Sequence, residues 1–144
     1  MKSGITFSNI WHDEDMYEFR ISSSDGSSTF VHEVYVGYDS YDDLIREINI
    51  FKTHIHGGIY DIKLGSFGPE YASGTFTARL HYQERGKIYI SIIAQSEFYD
   101  FGKKNIASEA KLYFTTEPAL LDNFISDLKL LKRGHITEVT LEGA

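Results

Sequence analysis

Cysteine is absent from all 144 residues, which removes disulfides, thiol nucleophiles and thiolate metal sites together and fits a reducing, cytoplasmic setting. Apolar stretches run for only a few residues, so no segment is long enough to span a bilayer. The start, Met1-Lys2-Ser3-Gly4-Ile5-Thr6-Phe7, lacks the apolar run and small-residue cleavage site of a secretory signal. Proline occurs twice, and there is no internal repeat, linker or low-complexity tract. No Walker loop, Rossmann glycine pattern, EF-hand, zincin motif or Gly-x-Ser-x-Gly elbow occurs. The familiar enzyme signatures are therefore missing, and no cofactor is expected.

Basic residues are scarce in one half only. Residues 1–72 hold five Lys/Arg against twelve Asp/Glu, while 73–144 hold nine of each. The whole net charge of −7 thus belongs to the first half. Charge of that sign repels phosphate backbones, which argues against nucleic acid and favours a basic protein as partner. The same acidity also serves solubility without any partner.

What the chain does have is size for one core, as a single domain over residues 1–144. It also has an aromatic content of 15%, which suits half-buried sheet faces. Ile5–Ile10 reads as a strand ending in His12-Asp13-Glu14-Asp15. Met16–Ser22 alternates, with Tyr17, Phe19 and Ile21 on one face. Ser23–Ser28 turns around Asp25-Gly26, and Thr29–Val36 returns. Tyr41, Leu44, Ile45, Ile48, Phe51 and Ile55 then form a helical stripe. Ser40 is its expected N-cap, with Asp43 three residues on, and Gly57-Gly58 its expected stop.

Ile59–Leu64, Thr75–Tyr82 and Lys87–Gln95 follow as strands, the last two as a hairpin turning at Gln83–Gly86. Glu97–Asn105 reads as an aromatic loop and Ile106–Phe114 as another strand. A second helix carries Leu120, Leu121, Phe124, Ile125, Leu128 and Leu131, with Thr116 as expected N-cap, Pro118 in the first turn and Gly134 as stop. Ile136–Leu141 reads as an edge strand or tail. Short links favour antiparallel pairing. The expected class is α+β: a mainly antiparallel curved sheet with two amphipathic helices on one face, a two-layer sandwich.

Candidate chemistry is sparse. His54 and His56 could begin a zinc site with Asp61 or His81 as third ligand, but at a helix end positions two apart diverge, and histidines there commonly satisfy terminal carbonyls. Arg79, His81 and Glu84 could place a general base near polar partners, though alternating polar residues on a hairpin's solvent face give the same pattern. The segments Phe67–Tyr71 and Phe98–Phe101 could be recognition loops or extensions of the core. The leading candidate for partner binding is acidic: Asp13, Glu14 and Asp15 between strands, with Asp39, Asp42, Asp43 and Glu47 around the start of the first helix. A helix start uses one or two carboxylates for its own dipole; a larger patch speeds encounter with a basic partner.

The order from Thr29 to Arg133 resembles that of small bacterial immunity proteins of polymorphic toxin systems, the WapI-type among them. It is carried by the helix Ser40–Ile55, a glycine-containing junction, the hairpin Phe76–Ala94 and the segment Glu117–Arg133. The tryptophan motifs of those groups are missing, since the one Trp is Trp11, so no functional residue is carried over. The resemblance implies a non-catalytic cytoplasmic protein that binds and blocks a toxin domain. The alternatives are a small-ligand module with an aromatic-lined cavity between sheet and helices, and a metal-assisted hydrolase built on His54 and His56.

Overall fold

The computed structural model describes residues 2–54, 56–68, 71 and 73–144. Its strands are β1 (Gly4–His12), β2 (Met16–Ser24), β3 (Thr29–Gly37), β4 (Ile59–Leu64), β5 (Thr75–Glu84), β6 (Lys87–Gln95), β7 (Tyr99–Phe101), β8 (Lys104–Ile106), β9 (Glu109–Thr116) and β10 (Glu138–Glu142). The helices are α1 (Tyr38–Phe51) and α2 (Pro118–Lys132). The class is α+β and every pairing is antiparallel.

Among the described residues, eight of the ten strands divide between two four-stranded sheets, ordered β10-β1-β2-β3 and β4-β5-β6-β9, rather than continuing as one curved sheet, and β7 and β8 pair only with each other. The division falls where α1 interrupts the run of hairpins. The chain leaves the first sheet at β3 and begins the second at β4. β10 then returns to pair with β1, Ile5 opposite Leu141.

Period-two alternation holds in each long strand. Tyr17, Phe19 and Ile21 are buried in β2; Phe76, Ala78, Leu80 and Tyr82 in β5; Ile88, Ile90, Ile92 and Ala94 in β6. These residues join Tyr41, Leu44, Ile48 and Phe51 of α1 and Leu121, Phe124, Ile125, Leu128 and Leu131 of α2 in one apolar cluster. Rings tie the layers together. Phe7 of the first sheet meets Phe76 of the second edge-on at 5.8 Å and Phe124 of α2 at 5.8 Å. Phe51 of α1 stacks on Tyr82 at 4.9 Å. The Tyr41 hydroxyl donates to the Leu128 carbonyl at 2.7 Å, joining the two helices inside the core.

Helix ends depart from the expected caps. α1 starts at Tyr38, with Gly37 at the cap position and no side-chain cap, so Ser40 lies inside the first turn. The Tyr38 backbone N–H instead donates to the Asp15 carbonyl at 3.0 Å; the β1–β2 turn does the capping. α1 also ends at Phe51 rather than at the glycine pair. Gly57 and Gly58 are joined to Tyr82 of β5 by two backbone hydrogen bonds of 3.0 Å. Ile55, expected on the helical stripe, lies outside the described residues.

Thr116 closes β9 and donates its hydroxyl to the Glu142 carbonyl at 2.6 Å, leaving Glu117 to precede α2 without a side-chain cap. Gly134 does stop α2. At φ 78° it lets its own N–H reach the Leu131 carbonyl and that of His135 reach Leu130, both at 3.0 Å, the paired bonds of a Schellman terminus. The aromatic loop after β6 is a small hairpin, β7–β8, turning at Gly102 with φ 63°; Ile106 belongs to it, and β9 begins at Glu109.

Candidate functional site

The acidic segments are assembled by the β1–β2 turn. The Asp13 carboxylate accepts from the backbone N–H of Asp15 at 2.8 Å and of Met16 at 2.9 Å, an Asx turn that spends this side chain on local geometry. Tyr38 then pins the turn to α1 twice, its N–H on the Asp15 carbonyl and its hydroxyl on the Asp13 carbonyl. The result sets Asp13, Glu14 and Asp15 beside Asp39 in the first turn of α1, all exposed. Among the described residues no cation pairs with any of these four.

The other three expected residues behave differently. Asp42 is held by Lys132 of α2 at 2.5 Å, and Asp43 by Arg46 at 2.9 Å, so their fields are largely cancelled. Glu47 lies near Tyr60 and lines a groove of about 210 Å³ with Asp43 and Asp61. Burial raises the Tyr60 hydroxyl well above the ordinary tyrosine range, and the charges of Glu47, Asp43 and Asp61 add to the effect. The seven residues therefore form one uncompensated corner and one partly compensated flank.

Beside that corner lies a feature the sequence reading missed. Trp11, Glu18 and Tyr35 are cross-strand neighbours on β1, β2 and β3, on the side away from buried Tyr17 and Phe19. Trp11 and Tyr35 are 46% and 39% exposed, and their rings meet edge-on at 6.3 Å. The adjacent row has its carboxylate answered, Glu33 facing Arg20 at 3.6 Å. Glu18 has no cationic partner among the described residues. The alternation that places Tyr17 and Phe19 inward places Glu18 outward, but bringing Trp11 and Tyr35 to its two sides needs the register of three strands.

The remaining candidates do not converge. His54 and His56 are both exposed beyond the end of α1, and no group of three or more His, Asp or Glu suited to a metal occurs among the described residues. Asp61, offered as a third ligand, is engaged by Arg79 through two bonds of 2.8 and 3.0 Å, which holds its carboxyl below the usual carboxylate range. Glu84 accepts from the Tyr89 hydroxyl at 2.6 Å. Arg79 thus turns to β4 and Glu84 to β6, and neither joins His81. Phe67 and Tyr71 are each 48% exposed, with Pro69 and Glu70 between them outside the described residues; in β7, Phe101 is 68% exposed. Phe67, Tyr71, Tyr99 and Phe101 thus reach solvent, while Phe98 is half-buried.

A cleft of about 420 Å³ is lined by Asn9, His12, Tyr17, Tyr38, Tyr41, Asp42, Leu131, Lys132 and Gly134. The Asp42–Lys132 pair contributes both charges to its wall, and the Tyr41 hydroxyl is already spent on Leu128. No helix among the described residues is long and apolar enough to cross a membrane.

No family model and no curated protein matches the chain. Among solved structures it is similar to a chain of the CdiA-CT/CdiI toxin and immunity complex from Enterobacter cloacae, at 14% identity, covering 90% of this chain and 99% of that chain, with a TM-score of 0.47.

Proposed function

We propose that this chain is a non-catalytic binding protein of the immunity kind, which docks a basic protein partner such as a toxin domain on its acidic corner. The observation that carries the reading is the set Asp13, Glu14, Asp15 and Asp39, four exposed carboxylates fixed in one place by Tyr38 and answered by no cation among the described residues. Held charges of one sign without internal partners attract a partner of the opposite sign and raise its rate of encounter. Asp42, Asp43 and Glu47 extend the field more weakly, because Lys132 and Arg46 offset the first two.

The test begins by looking for a toxin-type domain encoded beside this gene, and uses that domain where one is found. Co-expressed with the wild-type chain it should be neutralised, and association should slow steeply as salt rises. Reversing Glu14, Asp15 and Asp39 to Lys, with Asp13 kept because its carboxylate closes the turn, should slow association at low salt by about tenfold or more, with circular dichroism unchanged. Equal rates for wild type and variant would reject the corner as the docking surface.

A further inference from the structure

We propose that the row Trp11–Glu18–Tyr35 is an anchor for an arginine side chain of a basic protein partner. This rests on the binding reading above and names the chemistry of its contact. The three residues lie in register across three hydrogen-bonded strands, so the rigid sheet and not a mobile loop sets their spacing. The outer two present large aromatic surface to solvent, and the half-buried central residue sets a carboxylate between them. A planar guanidinium meets both needs at once: it stacks on an indole or phenol face and forks onto a carboxylate. A lysine ammonium offers a point charge without the stacking plane.

The neighbouring row shows what such a carboxylate does when a guanidinium is within reach, since Glu33 takes Arg20 at 3.6 Å. Glu18 is left open to supply from outside. The site is also continuous with the acidic corner, because Trp11 lies two residues before Asp13 on the same hairpin. Exposed Trp and Tyr beside charge are the residues that dominate binding energy at protein interfaces. A strand face of this kind covers a free small molecule on one side only, whereas a protein buries it from the other. A second copy of the chain would bring the same negative corner against this one, and like charge opposes that pairing.

Trp11 is the single tryptophan, so its emission reads the site directly. Hexa-arginine and hexa-lysine peptides are titrated into the full chain with calorimetry and sedimentation velocity alongside. Hexa-arginine should shift Trp11 emission saturably and bind several-fold tighter than hexa-lysine. Glu18→Gln should weaken the arginine peptide about tenfold, the loss of one charge-assisted fork, and erase the preference over lysine. A D13N/E14Q/D15N variant should weaken both peptides alike and keep the preference. If both peptides bind by calorimetry with Trp11 emission unmoved, or if Glu18→Gln matches wild type, the anchor is wrong and the acidic-corner reading stands. If neither peptide binds, both readings fail. Self-association abolished by Trp11→Ala would reassign the face to contact between copies and overturn the anchor.

Discussion

His32 shows how much a single side chain can be committed by its neighbours. It is 5% exposed, its Nε2 faces the Thr75 carbonyl at 3.0 Å, and the rings of Phe30 and Phe76 flank it. Burial lowers its pKa below the ordinary value, against the opposing pull of the carbonyl. The folded ring therefore stays neutral in a range where the unfolded ring, titrating near about 6.5, takes up a proton. The unfolded state then binds more protons, so stability is full above that pH and falls as pH drops through it. Asp25, Asp61 and Glu84, all held below their usual values, lose their contributions only at lower pH. The urea midpoint should accordingly drop between pH 7.5 and 5.5, and His32→Gln should flatten that segment of the profile. A variant with the wild-type slope there would remove His32 as the cause. The inward side of β3 is legible from its alternation with Val34 and Val36; that the ring meets a carbonyl from β5 is not.

At the scale of elements, apolar periodicity in the sequence locates both helices, while their starts depend on distant backbone. Ser40 and Thr116 have the chemistry of caps, yet α1 is capped by the Asp15 carbonyl and Thr116 bonds to Glu142. Both partners come from segments that only the folded chain brings close. Ser40→Ala should therefore change stability by less than about 0.5 kcal/mol, not the roughly 1 kcal/mol of a lost cap. Tyr41→Phe, which removes the bond to Leu128 inside the core, should cost about 1 kcal/mol. Chemical denaturation of the two variants checks the contrast, and the reverse order would contradict this account of α1. The β7–β8 hairpin escaped the sequence reading for a related reason. Its three-residue strands carry too few alternations to be told from a loop.

Across the whole molecule, the hairpins were readable because a turn joins their strands, whereas the split into two sheets was not, because nothing local says where β10 goes. The core nevertheless runs from one sheet to the other through Phe7, Phe76 and Phe124. Phe76→Ala should cost about 3–5 kcal/mol, and hydrogen exchange should then show protection falling together in the β1–β2 and β5–β6 amides. Loss confined to the second sheet would mean that the sheets unfold separately. The acidic corner was legible as composition, but only the fold separates its members: Asp42 and Asp43 are answered by Lys132 and Arg46, while Asp15 and Asp39 are left open.

The pairing of β1 with β10 has a consequence for biogenesis. β1 is made well before its partner β10, so until β10 follows one edge of β1 has no strand beside it. An unpaired edge is a template for the wrong partner, and closing so long a stretch of chain is slow. Folding of the first sheet therefore finishes only after Glu138–Glu142 has left the ribosome, and a nascent chain stalled before that point would depend on chaperones to stay apart from its neighbours.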